Sequence, residues 1–459
     1  MAEREPKTLV ELSAALRARK ISPVEVTREC LDRIVALNPG LNAFITVSAD
    51  RALEQASIAE QEILRGEWRG SLHGVPIGLK DLIDTAGIRT TAASELYKDR
   101  IPTEDAEVVR SLRKAGAIFL GKQNLHEFAY GGSSMISFFG EVHNSWKPEH
   151  IAGGSSGGSA TAVAAGLGYG AIGTDTAGSI REPAALCGVV GLKPTYGRVS
   201  ARGVIPLSKS LDHVGPIAAT VADATILFRA IADGDGVPAA DFLNTWDRAK
   251  STLRVGMPNS LFEDLHPEVL HAVTTSLPVI AALGAELHEI SLVPDNDRTV
   301  QAAESYAFHA DTVRTTPQLY QPETLRRIKT GEKISQQEYQ RKLADLKAER
   351  ENIRRVFETV DVIVTPTTPA PASKIADLKQ NPDLLRPHEL VLLRNTRPFN
   401  VWGLPAISIP CGRTSGGLPV GLQIAGPPGR EDLLLEFAYA CEEAIGWLGN
   451  IHVRTALDS

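Results

Sequence analysis

The fold is decided by residues 153–181, GGSSGGSATAVAAGLGYGAIGTDTAGSIR. A glycine- and serine-rich turn at 153–159 leads into small apolar residues at 160–167, which predict a buried helix. A short strand at 171–174 then leads into a second turn at 176–179. Glycine permits close approach of a ligand, and free N–H groups in such turns stabilise negative charge. The pattern favours acyl transfer, with one serine as nucleophile beside an oxyanion hole. The alternative is a flexible Gly/Ser linker, which an immediately following helix disfavours.

Composition and charge narrow the class of protein. The chain has 459 residues, of which 43% are hydrophobic and 22% charged, and its net charge is -7. A packed globular core is therefore expected, whereas a nucleic-acid or anionic-membrane partner is disfavoured because such partners need clustered basic charge. No CxxC pair occurs among the four cysteines (Cys30, Cys187, Cys411 and Cys441). We therefore expect no disulfide scaffold, no metal site and no cofactor.

No targeting segment or domain linker is visible in the sequence. The start MAEREPKTLV is charged and lacks the apolar core of a signal peptide, and the longest apolar run, 160–172, is broken by glycine. These features predict a cytoplasmic protein. The whole chain, 1–459, is predicted to form a single domain, and the charged helical stretch 301–358 is the best candidate for a peripheral helical cap.

Strand and helix patterns alternate along the chain. Residues 253–257 and 285–290 are typical of strands, and residues 266–283 between them are typical of a helix. This alternation predicts an α/β fold whose sheet is covered on both faces.

A lysine ends a short apolar strand at residues 75–79. Lys80 in such a strand is unfavourable unless it is paired or neutral, and burial lowers the pKa of lysine enough to make it a general base. The alternative is a salt bridge with Asp81 or Asp84. The residues alone favour the salt bridge.

Several motifs together resemble those of the amidase signature family of Ser-Ser-Lys hydrolases. They are GVPIGLKDLIDTAG around Lys80, GGSSGGSATAVAAG at 153–166, GTDTAGSIREPAALCGVVGLKPTYGRVS at 173–200, LDHVGPIA at 211–218 and NVWGLPAISIPCG at 400–412. The resemblance covers almost the whole chain. It implies the amidase signature fold, a large central twisted mixed β-sheet covered by helices on both faces.

The resemblance also implies the roles of individual residues, and it replaces the salt bridge proposed for Lys80. Ser179 would be the nucleophile, Ser155 the bridging serine on a cis peptide, and Lys80 the base. The implied oxyanion hole is formed by the backbone N–H groups of Thr176, Ala177, Gly178 and Ser179. Supporting roles fall to Ser156, Asp175 and Arg181, and substrate-binding roles to Tyr130, Gly131 and Gly132.

The predicted function is hydrolysis of C–N bonds through a serine acyl-enzyme. Phe138, Phe139, Tyr130 and Trp402 suggest small apolar or aryl amides, and the same steps give access to esters and carbamates (urethanes). The predicted partners are a small-molecule substrate alone, with no nucleic acid and no membrane, in a monomer or homodimer.

Two alternatives remain. The first is a glutamine-amidotransferase-like subunit of a tRNA-dependent amidotransferase. Glutamine-using relatives carry an Asp seven residues before the Asn of NxxGLP, where this chain has Leu393 before Asn400, so glutamine is disfavoured as donor. The second is a Ser-His-Asp elbow at GxSxG, residues 153–157, which needs a preceding strand and a late histidine, His388 or His452.

Overall fold

One mixed sheet forms the centre of the molecule. The computed structural model describes residues 7–232 and 253–447. Eleven strands within these ranges join in a single sheet. In chain order they are β1 (Phe44–Val47), β2 (Pro76–Lys80), β3 (Ile118–Gln123), β4 (Ala171–Asp175), β5 (Val190–Lys193), β6 (His213–Ala218), β7 (Leu253–Pro258), β8 (Ala285–Ile290), β9 (Val362–Pro366), β10 (Ala406–Arg413) and β11 (Pro419–Ala425).

The strand order is β1-β3-β2-β4-β6-β5-β10-β11-β9-β7-β8. Strand β2 pairs in parallel with β3 and β4, and β7 pairs in parallel with β8 and β9. The remaining pairings, such as β4 with β6 and β10 with β11, are antiparallel. The predicted α/β class with a mixed sheet is confirmed.

Helices flank the sheet and bury its apolar faces. The α-helices among the described residues are Leu9–Arg17, Pro23–Leu41, Ala49–Leu64, Glu107–Lys114, Gly157–Ala164, Arg181–Cys187, Val221–Ala232, Pro267–Ala281, Thr299–Thr315, Pro322–Lys329, Gln336–Asn352, Ile375–Gln380, Leu385–Leu392, Pro398–Val401 and Glu431–Ile445. The charged stretch predicted to be helical, 301–358, is divided among three of these helices and a following 3-10 turn, Ile353–Glu358. None of the helices in 7–232 and 253–447 combines the length and the apolarity that a membrane span requires.

The helix Gly157–Ala164 lies in the interior, as its small residues predict. Its first seven residues are buried. A Cβ atom at Gly158 would overlap the carbonyl oxygen of Asn124, so only glycine allows the helix to approach the chain after β3 this closely. The glycines here thus serve packing as well as the turn.

The parallel pairing of β2 with β4 brings two separated segments together. Leu79 of β2 lies beside Ile172 of β4, so Lys80, the last residue of β2, lies alongside the middle of β4, and its side chain reaches Thr174. The turn at 176–179 follows β4 directly. In open α/β sheets, ligands bind outside the carboxyl ends of strands, and this edge is where the site is found.

Candidate active site

Lys80 is fully buried and bonds to hydroxyl groups. Its Nζ atom donates to Ser155 Oγ at 2.7 Å and to Thr174 Oγ1 at 2.8 Å. No described carboxylate forms an ion pair with Lys80; Asp84 pairs with Arg100, and Asp81 accepts from Thr91. Burial lowers the pKa of Lys80 to about 7, although the charges of Asp175 and Asp212 oppose the shift. The structure therefore gives Lys80 the surroundings of a base, not those of a salt-bridge partner.

Ser155 follows a cis peptide bond, Gly154–Ser155. The Gly154 N–H donates to Glu182 Oε2 at 2.7 Å, and the Ser155 carbonyl oxygen accepts from the His126 N–H at 3.1 Å. A Cβ atom at Gly154 would lie 2.8 Å from the Ser134 nitrogen. These contacts hold the first glycine turn in one conformation and direct the Ser155 hydroxyl towards Lys80.

Ser156 joins the two glycine turns. Its N–H donates to the Ser179 carbonyl oxygen at 3.1 Å, and its hydroxyl donates to the Thr174 carbonyl oxygen at 3.2 Å. Because Ser179 belongs to the second turn and Thr174 to β4, Ser156 fixes the separation between the turns.

Asp175 organises the second turn. Its carboxylate accepts from the Gly178 N–H at 2.8 Å and from the Ile180 N–H at 3.2 Å. Burial would raise the pKa of this carboxyl, but the Arg181 guanidinium, 2.9 Å away, and the Asn400 amide hold it well below its usual range. Asp175 is therefore ionised, and it shapes the turn through charge-assisted hydrogen bonds.

Arg181 is completely buried and contacts distant parts of the chain. Besides Asp175 it donates to the Thr396 carbonyl oxygen at 2.9 Å, to Gln423 Oε1 at 2.7 Å and to Asn400 Oδ1 at 2.7 Å. These bonds satisfy a charge that would otherwise be costly in the interior.

The backbone of the second turn faces a small cleft. The Gly178 N–H is taken by Asp175, whereas no described residue accepts from the N–H groups of Thr176, Ala177 and Ser179. Gly178 has φ of 138°, and a Cβ atom there would overlap Thr396 Oγ1. Glycine at 178 is therefore required by both conformation and space.

The cleft beside Ser179 is narrow, and the space that a water molecule can enter is about 10 Å³. It is lined by Ala129, Tyr130, Gly131, Thr176, Ala177, Ser179, Leu207, Arg298, Gln301, Arg386 and Leu393. Tyr130 and Gly131 thus lie where the family resemblance implies. Gly132 does not line the cleft and lies behind Leu393: a Cβ atom at Gly132 would lie 3.2 Å from Leu393 Cδ1.

Of the four aromatic residues predicted to line the pocket, Tyr130 borders the cleft and the other three do not. Phe138 is 39% exposed and packs edge-on against Phe139, and Trp402 is 2% exposed and packs edge-on against Phe399 in the core.

Sequence reasoning missed several residues. Thr174 is the second partner of Lys80, and Asp212 accepts from Thr176 Oγ1 at 2.6 Å and from the backbone N–H of Ser208. Asp212 lies within the LDHVGPIA motif, so the sequence contained a signal that could have identified it. Arg298 and Arg386 gave no such signal: Arg298 ends the loop before the helix Thr299–Thr315, Arg386 lies in the helix Leu385–Leu392, and neither belongs to a recognisable motif.

The Ser-His-Asp alternative requires a strand immediately before the first turn. The described residues 144–156 contain isolated bridges, at His150 and Ile151, and no strand. His452 lies outside the described residues. The geometry around Ser155 thus supports the lysine arrangement and not an elbow.

Similarity to known proteins identifies the family of this chain. Its sequence matches the Amidase family over residues 25–435, and the protein belongs to this family of enzymes. It is similar to a crystal structure of an amidase, with 32% identity, a TM-score of 0.85 and coverage of 95% of this chain and 99% of the other.

More particular similarity is to one component of a larger enzyme. The A subunit of glutamyl-tRNA(Gln) amidotransferase from Thermosynechococcus vestitus is 38% identical over 95% of this chain and 98% of the relative. The crystal structure of the A subunit of the same name from Thermotoga maritima is 33% identical, with a TM-score of 0.74 and coverage of 92% of this chain and 91% of the other.

These relatives overturn two predictions. Small apolar or aryl amides, esters and carbamates are the wrong substrate class, because the full-length relatives are amidotransferase subunits. The prediction of partners is likewise wrong. It gave a small-molecule substrate alone, no nucleic acid, and a monomer or homodimer. The net charge of -7 led to the wrong prediction about nucleic acid, since in an assembly another component can supply the basic surface that binds RNA. The expectation that Leu393 argues against an amidotransferase subunit likewise disagrees with these relatives.

Proposed function

We propose that this chain is the amide-hydrolysing component of a tRNA-dependent amidotransferase, releasing ammonia that its partner subunits transfer to a glutamyl-tRNA. The observation that carries the proposal is similarity of 38% identity, along 95% of the chain, to the A subunit of such an enzyme. The Lys80–Ser155 pair beside Ser179 provides the chemistry that this role needs.

The proposed reaction begins with a proton relay. Neutral Lys80 takes a proton from Ser155 Oγ, 2.7 Å from its Nζ atom. Ser155 in turn takes the proton of Ser179 as Ser179 Oγ attacks the amide carbonyl carbon. A base with a pKa of about 7 is well matched to this role at neutral pH, because it is a good acceptor and is substantially deprotonated.

The charge formed on the carbonyl oxygen is stabilised by the second turn. The N–H groups of Thr176, Ala177 and Ser179 have no described protein acceptor and face the cleft, whereas that of Gly178 is bonded to Asp175. We therefore assign three donors, not four, to the oxyanion hole. Removing one such donor typically slows a reaction by about 100- to 1,000-fold.

Collapse of the intermediate breaks the C–N bond. The relay returns its proton to the leaving nitrogen, which departs as ammonia, and water then hydrolyses the Ser179 ester to release the acid. The ammonia passes to a partner subunit that holds the glutamyl-tRNA. There it attacks a glutamyl carboxylate activated by phosphoryl transfer from ATP, and the displaced oxygen leaves as phosphate. This proposal places the protein in the cytoplasm, where aminoacyl-tRNA is used.

The test uses the full-length tagged chain isolated from its own host with whatever subunits accompany it. The complex is expected to convert glutamyl-tRNA(Gln) to glutaminyl-tRNA(Gln) with an amide donor and ATP. The Ser179→Ala complex should do so only when ammonium chloride is supplied. Purification of the chain without partner subunits or amidation activity, while it hydrolyses simple amides freely, would argue against the proposal.

A further inference from the structure

Thr176 and Asp212 lie opposite each other just beyond the ends of two paired strands. In the antiparallel pairing of β4 with β6, Asp175 is opposite His213. Thr176 directly follows β4, and Asp212 directly precedes β6. This register brings the two side chains together, and the Thr176 hydroxyl donates to Asp212 Oδ1 at 2.6 Å. A hydrogen bond to a carboxylate is stronger than one between neutral groups, so this bond fixes the Thr176 side chain.

The other carboxylate oxygen of Asp212 binds the loop that precedes it. Oδ2 accepts from the N–H groups of Leu207 and Ser208, both at 3.0 Å, and the Asp212 N–H donates back to the Ser208 carbonyl oxygen at 2.8 Å. Leu207 and Thr176 both line the cleft beside Ser179. One carboxylate therefore joins two parts of the cleft wall, one of which carries an oxyanion donor.

A second carboxylate, that of Glu304, holds the same loop. The Ser208 hydroxyl donates to Glu304 Oε2 at 2.6 Å, and the Ser210 N–H donates to the same oxygen at 3.0 Å. The Ser210 hydroxyl donates to Oε1 at 2.5 Å, and Tyr339 OH donates to Oε1 at 2.9 Å. Both oxygens of Glu304 are thus engaged in fixing the loop.

Two helices of the charged stretch meet at this second carboxylate. Glu304 belongs to the helix Thr299–Thr315, and Tyr339 belongs to the helix Gln336–Asn352. A continuous chain of hydrogen bonds therefore runs from both helices, through the two carboxylates and the loop between them, to the turn that forms the oxyanion hole.

The position of Thr176 matters because its backbone takes part in the proposed chemistry. Its N–H has no acceptor among the described residues and faces the cleft. Such a donor stabilises the oxyanion only when it is held where the charge develops. Displacement of a catalytic group by about 1 Å can slow a reaction by about 100-fold. The bond to Asp212 therefore bears directly on rate.

We propose that Asp212 is a positioning residue for the oxyanion hole: it holds Thr176 in place for hydrolysis at Ser179, and Glu304 couples that placement to the packing of the two helices. This inference rests on the hydrolytic step of the proposed function. It adds the residues that keep the hole in its active geometry.

The first test removes the link between the turn and the loop. Thr176→Val keeps the shape and the backbone N–H but loses the hydroxyl. In the full-length chain, kcat for p-nitrophenyl acetate, corrected for the Ser179→Ala background, should fall about 10- to 100-fold with little change in KM. Asp212→Asn should act similarly, because its amide nitrogen cannot accept from the N–H groups of the loop while its oxygen accepts from Thr176.

Two further variants distinguish positioning from a general loss of packing. Thr176→Ser retains the hydroxyl and should recover most of the rate lost in Thr176→Val. The matched control is Thr225→Val, which removes a buried hydroxyl bonded to the Val221 carbonyl oxygen at 2.8 Å, and it should leave kcat unchanged.

The second test is a double-mutant cycle, because continuity of hydrogen bonds does not by itself establish coupling. Glu304→Ala should lower kcat about 3- to 10-fold in the wild-type chain and less than about twofold in Thr176→Val, where the link is already broken. Glu332→Ala is the control, since Glu332 accepts from Tyr306 OH at 3.2 Å and not from the loop 207–212. It should leave kcat unchanged in both backgrounds.

The outcomes separate the inference from the proposed function. An unchanged kcat in Thr176→Val and Asp212→Asn overturns the positioning role, and so does an equal loss in Thr225→Val or a failure of Thr176→Ser to recover the rate. Additive effects in the cycle overturn the coupling to Glu304.

The assay of the complex completes the test. A complex that never amidates glutamyl-tRNA, even with ATP and ammonium chloride, overturns the proposed function and leaves the positioning role standing. A wild-type chain that neither hydrolyses the ester nor, in its complex, releases ammonia from glutamine overturns both.

Discussion

The Lys80 Nζ atom lies 2.7 Å from Ser155 Oγ, although the two residues are 75 positions apart in the chain. Neither side chain reaches solvent. Since burial lowers the pKa of Lys80 to about 7, the protonation of this pair should control the reaction across the neutral range.

Ammonia release should therefore rise with pH. The active form has neutral Lys80, whose fraction grows about tenfold per unit below the pKa and saturates above it. We expect kcat/KM to climb from pH 5 to about 7 and then level off. A Lys80→Met variant should lose at least 1,000-fold and show no such profile. Rates that fall between pH 6 and 8 would contradict the assignment of Lys80 as base.

Substitutions at Ser155 and Ser156 should separate an effect on catalysis from an effect on stability. Ser155→Ala removes the relay hydroxyl and is expected to reduce ammonia release by at least 1,000-fold with little change in Tm. Ser156→Ala leaves the buried Thr174 carbonyl without a donor, which typically costs about 1–3 kcal/mol. Activity assays and thermal unfolding of both variants test this, and equal losses of activity and Tm in the two would refute it.

Gly178 should tolerate no side chain. A Gly178→Ala methyl would collide with Thr396 Oγ1, so we expect the second turn to shift and activity to fall by at least 100-fold. The matched control is Gly417→Ala, where φ is also positive, at 85°, but no atom lies within 4 Å of the added methyl. That variant should show only the conformational cost of about 1 kcal/mol and keep its activity. Similar behaviour of the two variants would contradict the steric argument.

The buried ion pair between Asp175 and Arg181 should be sensitive to loss of either partner. Arg181→Met leaves Asp175 charged and uncompensated, which typically costs about 3–5 kcal/mol. Arg181→Lys should recover little, because an ammonium group cannot make the five hydrogen bonds of the guanidinium. Denaturant unfolding measures both, and the exposed Arg314→Met serves as control. Stability in Arg181→Met equal to that of the wild type would exclude this role.

Local sequence patterns were sufficient to find the two turns and the end of β2. Glycine and serine at 153–159, and a lysine closing an apolar strand, have few structural uses, so their positions could be predicted. The partner of Lys80 could not be chosen from the residues alone, because Asp84 is close in sequence and Ser155 is close only in space. Family resemblance resolved that choice.

The two arginines that line the cleft could not be predicted from the sequence. Arg298 and Arg386 lie in charged stretches, where arginine is usually solvated, and the packing of distant helices brings them to Ser179. Trp402 illustrates the converse error. An aromatic residue in a family motif suggested a binding role, whereas the structure uses it to fill core volume against Phe399.

The bonds from Arg181 to Thr396, Asn400 and Gln423 also have a consequence for synthesis of the chain. All three residues of the proposed relay have left the ribosome once residue 179 has emerged, yet the turn that bears Ser179 is braced by segments made more than 200 residues later. A nascent or C-terminally truncated chain should therefore have no hydrolytic activity. Under the proposed function, ammonia would then be released only by chains that have been completed and can join the proposed partner subunits.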